Sequence, residues 1–324
     1  MRPSLAILIL LHCLATAAPA QTARQEKTID LPAGVSVEEA TISHAGNLVV
    51  AICSDHAVRV WSVRSSDLLR TIEGGREPSA VQFSNDDRLL AVAYEIAIYE
   101  KGAVKIFDTD SWKVRHDFAD EAPVYWLTFS ADGRHLAGAG DFVTYIWDLP
   151  ARKKTATILP PFGGSASLAF SPDGAWVATA DGDTFVRVYD ASTGALHSAT
   201  QGGLLEPMTV AFSPDGKTLL TGGVDKTISV VEAASGKISR TIPKQPGLVF
   251  FLDVSPNGKH AVVVYRSAER FADINHLALW DLNNGTILAD FQKPGITIHG
   301  GTFVGDHYLF AVASGKQLTL WSLR

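Results

Sequence analysis

The hexapeptide AFSPDG occurs twice, at Ala169–Gly174 and at Ala211–Gly216, 42 positions apart. Looser copies keep the same beat: TFSADG at Thr128–Gly133, DVSPNG at Asp253–Gly258 and QFSNDD at Gln82–Asp87. In Ser-Pro-Asp-Gly, proline pre-sets φ, aspartate bonds its own backbone and glycine takes φ > 0. The hexapeptide is therefore turn chemistry, and its recurrence marks a repeated structural unit.

Two periodic series define that unit. The apolar residue before each turn falls at Ile42, Phe83, Phe129, Phe170, Phe212, Val254 and Phe303, with spacings of 41, 46, 41, 42, 42 and 49. A second series follows at Trp61, Phe107, Trp147, Tyr189, Val231, Trp280 and Trp321. Both count seven. Within a unit such as 207–242, short runs rich in β-formers (PMTVAF, KTLLTGG, TISVVE, ISRTI) alternate with turn clusters, which predicts four strands per repeat. The second run carries small residues, as at Ala178, Ala180, Gly222 and Gly223, which let neighbouring sheets pack closely.

Trp147-Asp148 and Trp280-Asp281 are literal WD pairs, and Phe107-Asp108 and Tyr189-Asp190 are conservative versions. Asp55, Asp141, Asp183 and Asp225 each stand six residues before the aromatic position. With a repeat of 40 to 45 residues, the chain resembles WD-repeat β-propellers over nearly all of 21–324. It departs from that pattern in lacking the Gly-His pair that opens many such repeats, so the hydrogen-bonded set built on that histidine is incomplete. The four aspartates are then expected to act as structural turn caps. VVEAASGKISRTIP followed by SPNGK also resembles YVTN-type propellers.

The fold expected is all-β, a seven-bladed propeller of four-stranded antiparallel blades at about 36–73, 78–118, 123–159, 165–200, 207–242, 247–291 and 295–324. The last unit lacks a fourth strand. KTIDL at Lys27–Leu31 resembles LRTIE at Leu69–Glu73, so a strand at about 25–31 is expected to pair with the last blade and close the ring.

The first twenty residues stand apart. Arg2, the apolar run Leu5–Leu14 and Ala18-Pro19-Ala20 read as a secretory signal peptide over 1–20, giving a periplasmic or secreted protein without a membrane span, of bacterial origin. Removing it lowers the net charge of −6 by one, and no basic run exceeds Arg152-Lys153-Lys154, which argues against nucleic acid as a partner. Of the two cysteines only Cys53 would remain, in VVAICS, and it reads as a small core residue.

No G-x-S-x-G, H-E-x-x-H, C-x-x-C or Walker pattern is present. His44, His135, His260 and His307 fall at turns of different blades and do not converge as a metal site requires. Asp132, Asp173 and Asp215 are likewise spread one per blade, whereas acid–base catalysis needs carboxylates facing one substrate. No catalytic, cofactor or metal residue is therefore assigned. Function is sought where the repeat is broken. Blade two carries AYEIAIYEKGAVKIF and blade six YRSAERFADINHLALW, about five and seven residues longer than their siblings. In WD-repeat proteins these second-to-third connections share the narrow face with the inter-blade loops, where partners commonly bind. The candidate partner-binding residues are Glu100, Lys101, Tyr125, Phe162, Arg266, Glu269, Arg270, Phe271 and Asp273, with Pro161 and Leu205 nearby. The expectation is a monomeric, non-catalytic platform for a protein partner. The competing expectations are a lactonase- or quinoprotein-like propeller enzyme with its site at the central channel, and a subunit that only stabilises a periplasmic assembly.

Overall fold

The computed structural model describes residues 23–73, 76–95, 102–161, 163–201, 206–242, 245–266, 276–305, 307–314 and 316–323. They form seven four-stranded antiparallel sheets and no helix, arranged as the blades of a propeller. In blades one to six the strands run in chain order from the inner edge outward. The inner strands are Val37–Ile42, Pro78–Phe83, Trp126–Phe129, Ser165–Phe170, Pro207–Phe212 and Leu248–Val254, and Thr297–Val304 in blade seven. The seventh blade takes its outer strand from the other end of the chain. Arg24–Asp30 pairs antiparallel with Gln317–Leu323, from Arg24 opposite Ser322 to Asp30 opposite Gln317, and closes the ring.

A sheet between two neighbours hides both faces of its middle strands, which explains their unbroken apolar runs. Leu90, Ala91, Val92, Ala93 and Tyr94 are all buried, whereas the outer strand Leu68–Glu73 is almost wholly exposed. The buried apolar side chains fall into seven clusters, each drawn from two adjacent blades. Cys53 lies in the cluster between blades seven and one. No single core exists, so cohesion comes from blade-to-blade burial at roughly 25 cal/mol per Å² of apolar surface. Small residues set the spacing: a Cβ on Gly222 would stand 2.3 Å from Val249 Cγ1 of the next blade.

The repeated turn has the expected glycine geometry, with Gly133, Gly174, Gly216 and Gly258 at φ between +67° and +72°. Its serine does more than the sequence suggests. Ser171 is buried, donates to Asp173 Oδ1 at 2.5 Å and accepts the Trp176 N–H at 2.9 Å, and Ser130 and Ser213 repeat the arrangement. In blade two Asp87 occupies the glycine position at φ +59°. Its carboxylate accepts the N–H groups of His44 and Ala45 in blade one, both at 2.7 Å. Burial opposes its ionisation, but bonds from the His44 ring and these two amides prevail and hold its pKa below the usual range. The odd turn is thus a latch between blades.

The missing Gly-His pair is replaced differently from blade to blade. Trp280 Nε1 donates to the Tyr265 hydroxyl at 2.9 Å, which donates to Gln245. Trp147 Nε1 is buried with no partner, and that ring is held by stacking on Phe118, centroids 5.4 Å apart.

Candidate functional site at the channel mouth

The inner strands leave one edge unpaired along the axis, and these edges line a cavity of about 560 Å³ to which all seven blades contribute. Some of the free edge groups are taken by the preceding blade. Thr209 Oγ1 accepts the Leu252 N–H at 3.1 Å, Ser167 Oγ the Val210 N–H at 3.4 Å, and Glu39 Oε1 the Val81 N–H at 3.3 Å. A carboxyl group therefore stands in blade one where blades four and five use a hydroxyl.

The inner strands share an irregularity at the end where the inter-blade loops enter. Pairing with the second strand slips between Val37 and Glu39, Pro78 and Ala80, Ser165 and Ser167, Pro207 and Thr209, Val249 and Phe251, and Ile298 and Gly301. In blade three Tyr125 N–H and Trp126 both engage Ala139, which gives the same two-against-one geometry. A bulge bends its strand and re-aims one side chain. Glu38, Tyr125, Phe250 and His299, at four of these bulges, all line the cavity.

Tyr125 and Arg266, of the residues expected to bind a partner, both line this cavity. Arg266 ends the second strand of blade six, opposite Leu248, and its guanidinium lies 4.0 Å from the Phe250 ring centroid. Phe250 meets Trp126 edge-on, centroids 6.5 Å apart, and Trp126 remains 37% exposed. Arg266 Nε is buried without a hydrogen-bond partner, and burial lowers the pKa of the side chain. Burial first, then the charges of Glu95 and Asp141, raise the pKa of Tyr125. Glu100, Lys101, Phe162, Glu269, Arg270, Phe271 and Asp273 lie outside the described residues.

Along the channel wall, burial pushes Glu39 up to about 8 and Asp253 up to about 6, and pushes His299 down to about 4. Each keeps some surface on the lumen. Burial is the first cause of both the Glu39 and the His299 shift, and no hydrogen bond joins the two among the described residues. Among the described residues no group of three or more His, Cys, Asp or Glu is placed to hold a metal ion.

The turn aspartates take different partners. Asp55 and Asp183 each form a two-pronged ion pair with the arginine four residues on, Arg59 and Arg187, at 2.6–2.8 Å. Asp225 accepts the N–H and hydroxyl of Thr227, both at 2.9 Å, and Asp141 is exposed beside Glu95 and Tyr125. Trp126, Phe250 and the channel carboxyls were missed by the repeat argument. Their signal was the doublets Glu38-Glu39, Tyr125-Trp126 and Phe250-Phe251, where two adjacent bulky or acidic residues break strict alternation.

Three stretches, residues 112–148, 162–190 and 202–231, match the WD domain, G-beta repeat family model (WD40). The chain is also 27% identical over 161 residues to "WD repeat-containing protein SL1-17" of Schistosoma mansoni, an alignment covering 48% of this chain and 50% of that protein. The match thus spans about half the length of that curated relative. Together with the seven closed blades these matches support a WD-repeat propeller, a fold consistent with a protein-interaction platform. Among the described residues no helix is long and apolar enough to cross a membrane.

Proposed function

We propose that this protein is an exported, non-catalytic propeller that binds a protein partner over the mouth of its channel, on the face where the inter-blade loops enter. The observation that carries this reading is the contiguous set Trp126, Phe250 and Arg266, with Tyr125 beside it. Trp, Tyr and Arg dominate the energetics of protein interfaces, most of all where an aromatic ring or a guanidinium is partly desolvated before binding. Here a rigid ring presents them, so a partner need not order them on docking. Export rests on the leader-like segment 1–20 and on a remainder with one thiol.

A propeller enzyme would need convergent, coupled groups in the axial channel. The channel does hold Glu39, Asp253 and His299, but among the described residues no hydrogen bond joins any two of them, and Glu39 and Asp253 accept backbone N–H groups instead, which favours binding over acid–base chemistry.

The test is cross-linked affinity capture from the exported fraction, comparing the native protein with Trp126→Ala and Arg266→Ala. Both substitutions are at the surface of the channel mouth, and circular dichroism checks that the ring is intact. The expected result is loss of the captured partner in both variants. Identical capture by all three proteins refutes the assignment of this face.

A further inference from the structure

On the face opposite the channel mouth, blades two and three enclose a groove of about 360 Å³. It is lined by Arg88, Arg115, His116 and Arg152 against a single acid, Asp86. This is a concentration of positive charge in a chain whose net charge is −6. Its cations are incompletely neutralised. Arg115 meets Asp108 at 3.1 Å, and Arg88 only approaches Asp86, at 3.8 Å. The Arg152 side chain makes no hydrogen bond or ion pair among the described residues. The His116 ring stacks on Phe118 with its Nδ1 buried and unpartnered. Burial, then Arg152 and Arg115, make the ring harder to protonate, which places those guanidiniums close enough to repel added charge.

Arg152 stands in the turn between the third and outer strands at φ +52°, in left-handed backbone, as do Ser66 at +63° and Trp112 at +57° in blades one and two, whereas blades four, five and six have Gly194, Gly236 and Gly285 at φ +69° to +72°. The turn accepts either kind of residue, so what sets this place apart is its charge: guanidiniums gathered in one groove with few acids to offset them.

We propose that this groove binds a phosphate monoester, with Arg152 as its principal anchor and Arg88 and Arg115 completing the cradle. Guanidinium forks match the paired oxygens of a phosphoryl group, and several converging forks match its three terminal oxygens better than the two of a carboxylate. The site lies on the other face from the channel mouth and does not depend on the partner reading above.

The test is isothermal titration of the full chain with inorganic phosphate, glycerol phosphate and a phosphoserine peptide, against malonate, with ionic strength held constant by sodium chloride. The key variant is Arg152→Gly, which installs the residue used at this turn in three other blades, so the unliganded variant is expected to melt no lower than the native protein. The expected result is saturable phosphate binding weakened by about tenfold or more in Arg152→Gly, the loss of a charge-assisted bond. Tighter binding of glycerol phosphate than of the peptide assigns the site to small metabolites, and the reverse assigns it to a phosphorylated protein; both support the proposal. No saturable phosphate binding, equal binding of malonate, or unchanged affinity in Arg152→Gly overturns it.

Discussion

Arg187 offers the sharpest test of what holds a blade together. Its guanidinium bridges two carboxylates: Nη1 reaches Asp181 Oδ2 at 2.6 Å and Asp183 Oδ1 at 2.8 Å, and Nη2 reaches Asp183 Oδ2 at 2.6 Å. Asp181 is fully buried and also accepts the Ser165 hydroxyl at 2.7 Å. Arg59 in blade one is the natural control. It pairs with Asp55 in the same two-pronged way, but that carboxylate is 39% exposed, and Cys53 stands where blade four has Asp181. Arg187→Met leaves a buried carboxylate without its counter-ion, at a cost of about 3–5 kcal/mol. Arg59→Met leaves its carboxylate to water, at about 0.2–1 kcal/mol. In thermal unfolding the first variant is expected to lose roughly 6 °C or more of Tm, and the second only a degree or two. Adding Asp181→Leu to Arg187→Met should recover part of the loss, because it removes the more deeply buried of the two orphaned carboxylates while Asp183, 10% exposed, keeps its charge. The Arg187 bond, with burial opposing it, holds Asp183 below the ordinary carboxylate range. Its contribution is therefore present at neutral pH and is lost as the pH falls below about 4, where the native protein and Arg187→Met should converge. Equal losses in the two single variants at neutral pH would refute the reasoning.

Two further substitutions test other parts of the ring. Burial raises Glu39 to about 8, so its folded form stays protonated while the unfolded chain ionises, and native stability falls as the pH rises from about 4.5 to about 8. Glu39→Gln retains an acceptor for the Val81 N–H and should be the more stable protein at pH 8, on the order of 1–3 kcal/mol after allowance for its lumen surface, with no difference at pH 4; urea unfolding at both values checks this. Asp87→Gly restores the usual turn glycine but removes the latch on His44 and Ala45, and should destabilise by about 1–3 kcal/mol despite the relieved backbone. A more stable Asp87→Gly protein in the same assay would show that the latch contributes nothing.

Much of the fold was legible because its signals are local. The conformations of proline, aspartate and glycine in Ser-Pro-Asp-Gly follow from those residues alone, and the five copies of the turn set the beat on which seven apolar positions, and hence seven blades, are counted. Ring closure by the strand around Lys27–Leu31 was legible as a resemblance between strands, and Arg24–Asp30 indeed completes the last blade. The mouth cluster was not legible, because a bulge belongs to a pair of strands rather than to one. The doublet Phe250-Phe251 marks a break in alternation, but it does not say which ring turns inward; only the pairing shows Val249 and Phe251 facing adjacent residues of the neighbouring strand while Phe250 lines the lumen. Tyr125 and Arg266 were reached by reasoning about loops, yet Arg266 acts from the end of a strand through a ring contributed by the strand beside it. The aspartates at 55 and 183 show the same limit: a local turn argument supplies the cap, and only the fold supplies the arginine that shares it.

The seam of the ring falls inside a blade rather than between two. Asp30 and Gln317, hydrogen-bonded at 2.9 Å, are 287 positions apart, and Glu26 and Ser322 are joined across a still longer span. As the polypeptide is synthesised, the strand Arg24–Asp30 therefore waits unpaired until all the other blades of the ring have been added, and the search that unites it with Gln317–Leu323 is the step of longest loop closure in the ring. The same arrangement protects the finished molecule. A protease that nicks any one inter-blade loop produces two fragments, each owning part of the seventh blade, and neither can leave without tearing that sheet apart.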